Sequence, residues 1–159
     1  MKNKVRILFA AALVSVMLTA CGEDPELRRF QNSMDEFCTK VSEIDNSINS
    51  IDADSDTATE ELLSYLDDLD LAFQSFAELD FPDEYNYLEE IADESSSYMT
   101  QAVATYHDAY SNNSYNEYTA AYAKQYYSRA YKRLQIIITF LHGEQPEDVD
   151  LTFEYEEEK

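Results

Sequence analysis

Residues 25–51 read "PELRRFQNSMDEFCTKVSEIDNSINSI", and their spacing decides the fold. Leu27, Phe30, Met34, Phe37, Val41, Ile44, Ile48 and Ile51 follow one another at alternating intervals of three and four. A helix turns once in about 3.6 residues, so this alternation draws one apolar seam and predicts packing against other helices. Asp24 stands where an N-cap belongs, and Pro25 occupies the tolerated first helical position.

The same period continues outward from this seam. A second helix is expected from about Thr57, with Thr57 and Glu60 as a capping box and Leu62, Leu66, Leu69, Phe73 and Phe76 facing inward. Pro82 disfavours helical geometry in the residue before it and ends that segment at "LDFPDEY". A third helix is expected from Asp83, its inner face carrying Leu88, Ile91, Ser95, Tyr98, Ala102, Tyr106 and Ala109. Glu89, Glu90, Asp93, Glu94 and Asp108 then fall on its solvent face. "NNSYNE" opens a fourth helix, with Ser114 and Glu117 as capping box and Ala120, Ala123, Tyr127, Ala130, Leu134, Ile137 and Leu141 inward. His142 and Gly143 close it, a cation at the negative helix end followed by a C-cap glycine.

Glycine occurs twice and proline three times in 159 residues, so little interrupts these helices. Helices of about 23 to 29 residues joined by links of about two to five imply antiparallel neighbours. The expected fold is all-α: an antiparallel up-down-up-down four-helix bundle over residues 25–143. The tail 144–159 differs, because Val149, Leu151, Phe153 and Tyr155 alternate with polar residues at the period of an extended strand. A helical bundle offers a lone strand no sheet. The acidity of the tail favours disorder over packing on the bundle, and pairing with a partner's strand edge is the third option.

The chain opens "MKNKVRILFAAALVSVMLTACGE". Lys2, Lys4 and Arg6 precede an apolar run, Ile7 to Leu18, shorter than the roughly 20 residues needed to span a bilayer. A charged start, a short apolar core and small residues read as an export signal over residues 1–20. Leu18-Thr19-Ala20-Cys21 resembles the lipobox of bacterial lipoproteins. That resemblance implies a thioether-linked diacylglycerol on Cys21, residues 21–24 as a tether, and a place on the extracytoplasmic face of the bacterial cell membrane. Two acyl chains hold a protein firmly where one binds marginally. The remaining region, closing with "HGEQPE", resembles small acidic helical lipoproteins of Gram-positive anaerobes, a likeness that implies location and fold but no biochemical role.

The formal net charge is −22; without the signal's three cations, eight basic residues face 33 acidic ones, or −25. Such a surface repels nucleic acid and attracts cations and basic partners. Cys38 is the one thiol left once Cys21 is acylated, and beside Phe37 it reads as a small buried hydrophobe.

Two stretches are candidate sites. "DADSDTATEEL" places Asp52, Asp54 and Asp56 at alternate positions with Glu60 following, as in the first part of an EF-hand loop. Thr57 stands where that loop needs glycine and Leu63 where it needs a bidentate glutamate, so an acidic, helix-capping turn is the stronger reading and calcium the weaker. No cofactor is expected. The second candidate is on the fourth helix, where Tyr115, Tyr118, Tyr122, Tyr126, Arg129, Arg133 and Phe140 lie within about 80° of one another, bordering the core face. Tyrosine and arginine dominate binding hot spots. The competing reading is that the tyrosines widen the core while Lys124, Arg129, Lys132 and Arg133 pair with acidic neighbours, and core-facing stripes are commonly this wide.

Catalysis has little to build on. Di-iron bundles use Glu-x-x-His, but Ala104 and Thr139 stand three residues before His107 and His142. The expected role is a non-catalytic interaction module with a protein partner at the cell envelope. A cation or small cationic ligand carrier using the Asp52–Asp56 turn, and an accessory subunit docking by its tail, are the alternatives.

Overall fold

The computed structural model describes residues 25–111 and 115–144. Cys21, Asp24, Ser114 and the alternating residues Val149 to Tyr155 lie outside them. The described residues form a helical bundle with four helices: α1 (Pro25–Ser50), α2 (Ala58–Ala77), α3 (Glu89–Ala109) and α4 (Glu117–Leu141). None of these helices is long and apolar enough to cross a membrane.

α1 buries Phe30, Met34, Phe37, Val41 and Ile44, the centre of the seam that its spacing announces. Phe37 stacks on Phe76 of α2 at 4.5 Å and meets Phe73 edge-on at 5.4 Å, while Phe30 meets Phe81 at 4.9 Å. Residue numbers rise along α1 as they fall along α2. The same holds between α2 and α3, where Asp70 accepts from Thr100 at 2.7 Å and Asp67 meets His107 at 2.7 Å. Between α3 and α4, Glu94 pairs with Arg133, and Ser95 donates to the Ala130 carbonyl at 2.8 Å. That order of contacts is the register of antiparallel neighbours.

α3 and α4 form the closest pair. Ser95, Ala102 and Ala109 on α3, and Ala120, Ala123 and Ala130 on α4, are all buried. Side chains this small let two backbones approach, and Ser95 uses the approach to reach across to a helix carbonyl. Elsewhere, long aromatic side chains fill the space between helices.

Four local expectations need correction. α2 and α3 are shorter than expected, at 20 and 21 residues, and the links 51–57 and 110–116 are longer. Residues Asp83–Leu88 wind as a 3₁₀ helix before α3 begins at Glu89, with the Tyr85 amide bonded to the Pro82 carbonyl at 2.7 Å. That tighter turn brings Tyr85 beside Phe30 at 6.1 Å, next to the buried Phe81. The inner face of α3 is Ala92, Ser95, Ser96, Met99, Ala102, Val103 and Ala109, while Ile91, Tyr98 and Tyr106 are half-buried at its border. α3 packs against both α2 and α4, which widens its buried stripe and turns its small residues inward.

The capping boxes differ as well. Thr57 sits at φ −97°, ψ −1° instead of the extended cap conformation, and its hydroxyl donates to Glu61 Oε1 instead of serving a backbone amide. At α4 the cap is Asn116, which is extended and accepts from the Tyr118 and Thr119 amides at 3.1 Å each. The far end of α4 closes as expected. Gly143 has φ +72°, its amide bonds the Phe140 carbonyl at 2.9 Å, and the Glu144 amide bonds the Thr139 carbonyl at 3.1 Å, a Schellman motif.

Candidate interaction surface

The tyrosine-arginine stripe of α4 divides into two halves with different surroundings. In the half nearer Leu141, Arg133 pairs with Glu94 and lies 6.0 Å from the Tyr98 ring centre. Arg129 lies over both Tyr98, at 5.7 Å, and Tyr126, at 5.9 Å. Phe140 meets Tyr87 edge-on at 5.7 Å. These residues are tied to α3 and the 3₁₀ turn, where Arg133 has an acidic partner and Arg129 stacks on rings.

The half nearer Glu117 is open. Tyr118 is 85% exposed, Tyr122 63% and Tyr115 59%. Tyr115 packs on Tyr110 at 5.1 Å. Tyr118 and Tyr122, at i and i+4, thus share one exposed face of the capped α4, and Tyr115 stands just before its N-cap Asn116. The register of the helices sets them at the end of the bundle that also holds the 51–57 turn, opposite Pro25. The charge at this end is mostly acidic: between Val41 and Ala123 the chain contains neither lysine nor arginine, and the exposed Lys124 of α4 is the next cation.

Asp52, Asp54, Asp56 and Glu60 form the acidic turn. The Asp54 amide donates to Asp52 Oδ1 at 3.1 Å and the Ser55 amide to the Asp52 carbonyl at 2.9 Å, so Asp52 serves its own backbone. Among the described residues no group of three or more histidine, cysteine, aspartate or glutamate side chains gathers to hold a metal ion. The hollow lined by Leu27, Met34, Tyr85 and Leu141 measures about 20 Å³, and a shallow, open one beside the acidic turn, lined by Asn46, Ser50, Ile51, Glu61 and Tyr65, about 260 Å³. Small-molecule sites run to several hundred Å³.

Sequence reasoning missed one polar cluster altogether. Tyr131, buried, donates to both carboxylate oxygens of Asp45 at 3.0 Å, and Tyr127 donates to Asp45 Oδ1 at 3.1 Å. The two rings stack at 4.7 Å, and Tyr131 also touches Phe73 at 5.6 Å. The cluster bridges α1 and α4. Burial raises the Asp45 carboxyl, and the two tyrosine hydroxyls partly offset that by holding its charged form. Burial also raises both phenols and the Asp45 charge adds to it; Tyr127 pushes Tyr131 up further, while the hydrogen bond between the two hydroxyls lowers Tyr127. Tyr106, near Tyr110 and Tyr115, is pushed up to about 12, mainly by burial.

Cys38 is half-buried, and burial with the Asp35 charge pushes its thiol up to about 11, away from reactivity. His107, placed on the polar face of α3 by its sequence position, bonds Asp67 across to α2. No protein-family model, curated protein or solved structure matches the chain significantly.

Proposed function

We propose that this chain is a non-catalytic interaction module, held on the extracytoplasmic face of a bacterial membrane by diacylglycerol on Cys21. It engages a protein partner at the cell envelope through Tyr115, Tyr118 and Tyr122. The carrying observation is that Tyr118 and Tyr122 of the capped α4, with Tyr115 just before its cap, remain exposed while Tyr126, Arg133 and Phe140 further along the stripe are partly buried. Tyrosine provides large contact area at small cost in side-chain freedom, which suits it to binding faces. The lipidated end joins the bundle at Pro25, so the tyrosines project from the opposite end, away from the membrane.

The test is a Tyr118→Ser, Tyr122→Ser chain expressed in its own envelope and recovered after mild crosslinking, beside the unaltered chain. The expected result is loss of the specific crosslinked partner with an unchanged thermal melt, since exposed substitutions shift stability by only about 0.5 kcal/mol. Retention of every crosslink would remove the tyrosines from the binding face. A Cys21→Ser chain addresses the anchor: radiolabelled palmitate should no longer be incorporated, and the protein should leave the membrane fraction.

A further inference from the structure

The arginines of α4 show how this surface treats a cation. Arg129 sits between Tyr98 and Tyr126, and Arg133 continues the stack on Tyr98. One turn further toward Glu117 the tyrosines continue, but among the described residues no guanidinium lies over Tyr118 or Tyr122. The arginine-tyrosine ladder is complete at one end and supplies only rings at the other.

The charges around the open half point the same way. No lysine or arginine occurs from Val41 to Ala123, the stretch that builds most of this end of the bundle, and the exposed Lys124 that follows falls about 200° round α4 from Tyr122. Glu117 and Asp108 flank the tyrosines in sequence, and the turn with Asp52, Asp54 and Asp56 belongs to the same end. An exposed aromatic face at the acidic end of an acidic chain attracts cations twice over, through the ring quadrupole and through the field of the chain. Arginine is favoured over lysine, because its planar, weakly hydrated guanidinium stacks on a ring while still bonding carboxylates.

We infer that the partner docks an arginine-bearing segment on this end, its guanidinium groups stacking on Tyr118 and Tyr122 and extending the ladder that Arg129 and Arg133 begin. The inference rests on the reading of this face as the partner surface and adds the partner's chemistry.

The probe is a labelled twelve-residue peptide carrying four arginines spaced by glycine and serine, with lysine and citrulline counterparts. Binding to the full-length chain in neutral detergent is followed by fluorescence anisotropy at physiological salt. The arginine peptide should bind, the lysine peptide should bind several-fold more weakly, and the citrulline peptide, which keeps the shape without the charge, should not bind. Tyr118→Leu with Tyr122→Leu should weaken the arginine peptide about tenfold, because each exposed stack contributes modestly. Tyr118→Phe with Tyr122→Phe keeps both π faces and should retain binding. Leu71→Ser, at an exposed apolar position on α2, should change nothing.

Equal binding of the arginine and citrulline peptides, or of the leucine variant and the unaltered chain, would overturn the inference. So would a dimer, seen by sedimentation and abolished in the leucine variant, since the occupant would then be a second copy. If the leucine variant loses its envelope partner yet no arginine peptide binds, only the chemistry is overturned and the interaction reading stands. If the partner is retained, both are overturned.

Discussion

Tyr131→Phe isolates the energetics of the bridge between α1 and α4. The substitution keeps the ring, with its contacts to Phe73 at 5.6 Å and Tyr127 at 4.7 Å, and removes the hydroxyl that donates to Asp45. That hydroxyl also accepts a longer bond from the Tyr127 hydroxyl at 3.2 Å, which Tyr127 replaces with its own bond to Asp45. No cavity forms, so the loss is that of the hydrogen bond. A bond to a charged group contributes about 1.5–3 kcal/mol; the half-buried carboxylate and the surviving Tyr127 bond put the expectation at the low end, about 1.5 kcal/mol. The pH dependence follows from the direction of each effect. Burial raises the Asp45 carboxyl in the folded chain, and the tyrosine bonds lower it, so deleting one raises it further. The advantage of the unaltered chain is therefore present above the variant's folded pKa and is lost as pH falls through it, leaving a neutral bond of about 0.5–1 kcal/mol. Urea unfolding followed by circular dichroism, carried from pH 7.5 downward through the titration of the carboxyl, reads this directly. With an m-value of about 1.5 kcal/mol/M, the midpoint should fall by about 1 M at pH 7.5 and by progressively less as the Asp45 carboxyl is protonated. A midpoint shift that stays constant down to the lowest pH at which the chain folds, or none at pH 7.5, would refute the charged bond.

Three further outcomes are expected. Phe73→Ala empties a fully buried site between Phe37 and Tyr131 and should cost about 3–5 kcal/mol, lowering the thermal midpoint by roughly 10 °C or more. Cys38, with its thiol near 11, should react with iodoacetamide at pH 7.5 at least about a hundredfold more slowly than an ordinary exposed thiol, and at the ordinary rate once unfolded in urea. Asn116→Ala removes the cap of α4, should cost about 1 kcal/mol, and should speed amide exchange at Tyr118 and Thr119, whose amides the Asn116 side chain holds.

Large residues made the fold legible and small ones hid its details. The α1 seam can be read because every large apolar residue lies on the buried side. On α3 the same rule selects Ile91, Tyr98 and Tyr106, whereas the structure buries Ala92, Ser96, Met99 and Val103 and leaves the larger three at the border. Weight assigned by size misplaces a helix whose closest neighbour requires small side chains. Asp45 could not be found from the sequence at all. It lies one position past Ile44 in the seam and looks like an ordinary solvent-facing carboxylate until Tyr127 and Tyr131 arrive from 82 and 86 residues away. On α4 the stripe's position was legible, but not its division.

That division is decided by α3. Glu94 with Arg133, and Tyr98 with Arg129, fix a register in which α3 side chains on one strip meet the α4 stripe. Two turns along, that strip offers Gln101 and Thr105. Both turn back on their own helix, Gln101 donating to the Ser97 carbonyl at 3.2 Å and Thr105 to the Gln101 carbonyl at 2.6 Å. Nothing from α3 then reaches over Tyr122 and Tyr118, and the rings stay open. The register places Thr105 beside Tyr122, as Tyr98 stands beside Arg129. Thr105→Arg would therefore supply in cis the guanidinium that the open half lacks. The expected result is a several-fold loss of affinity for the arginine peptide without loss of thermal stability, because the added cation competes for the same ring in an acidic surround. Thr105→Gln, similar in reach but uncharged, should leave the affinity within twofold. Equal losses from the two substitutions would mean that bulk at this position, not charge, blocks the face.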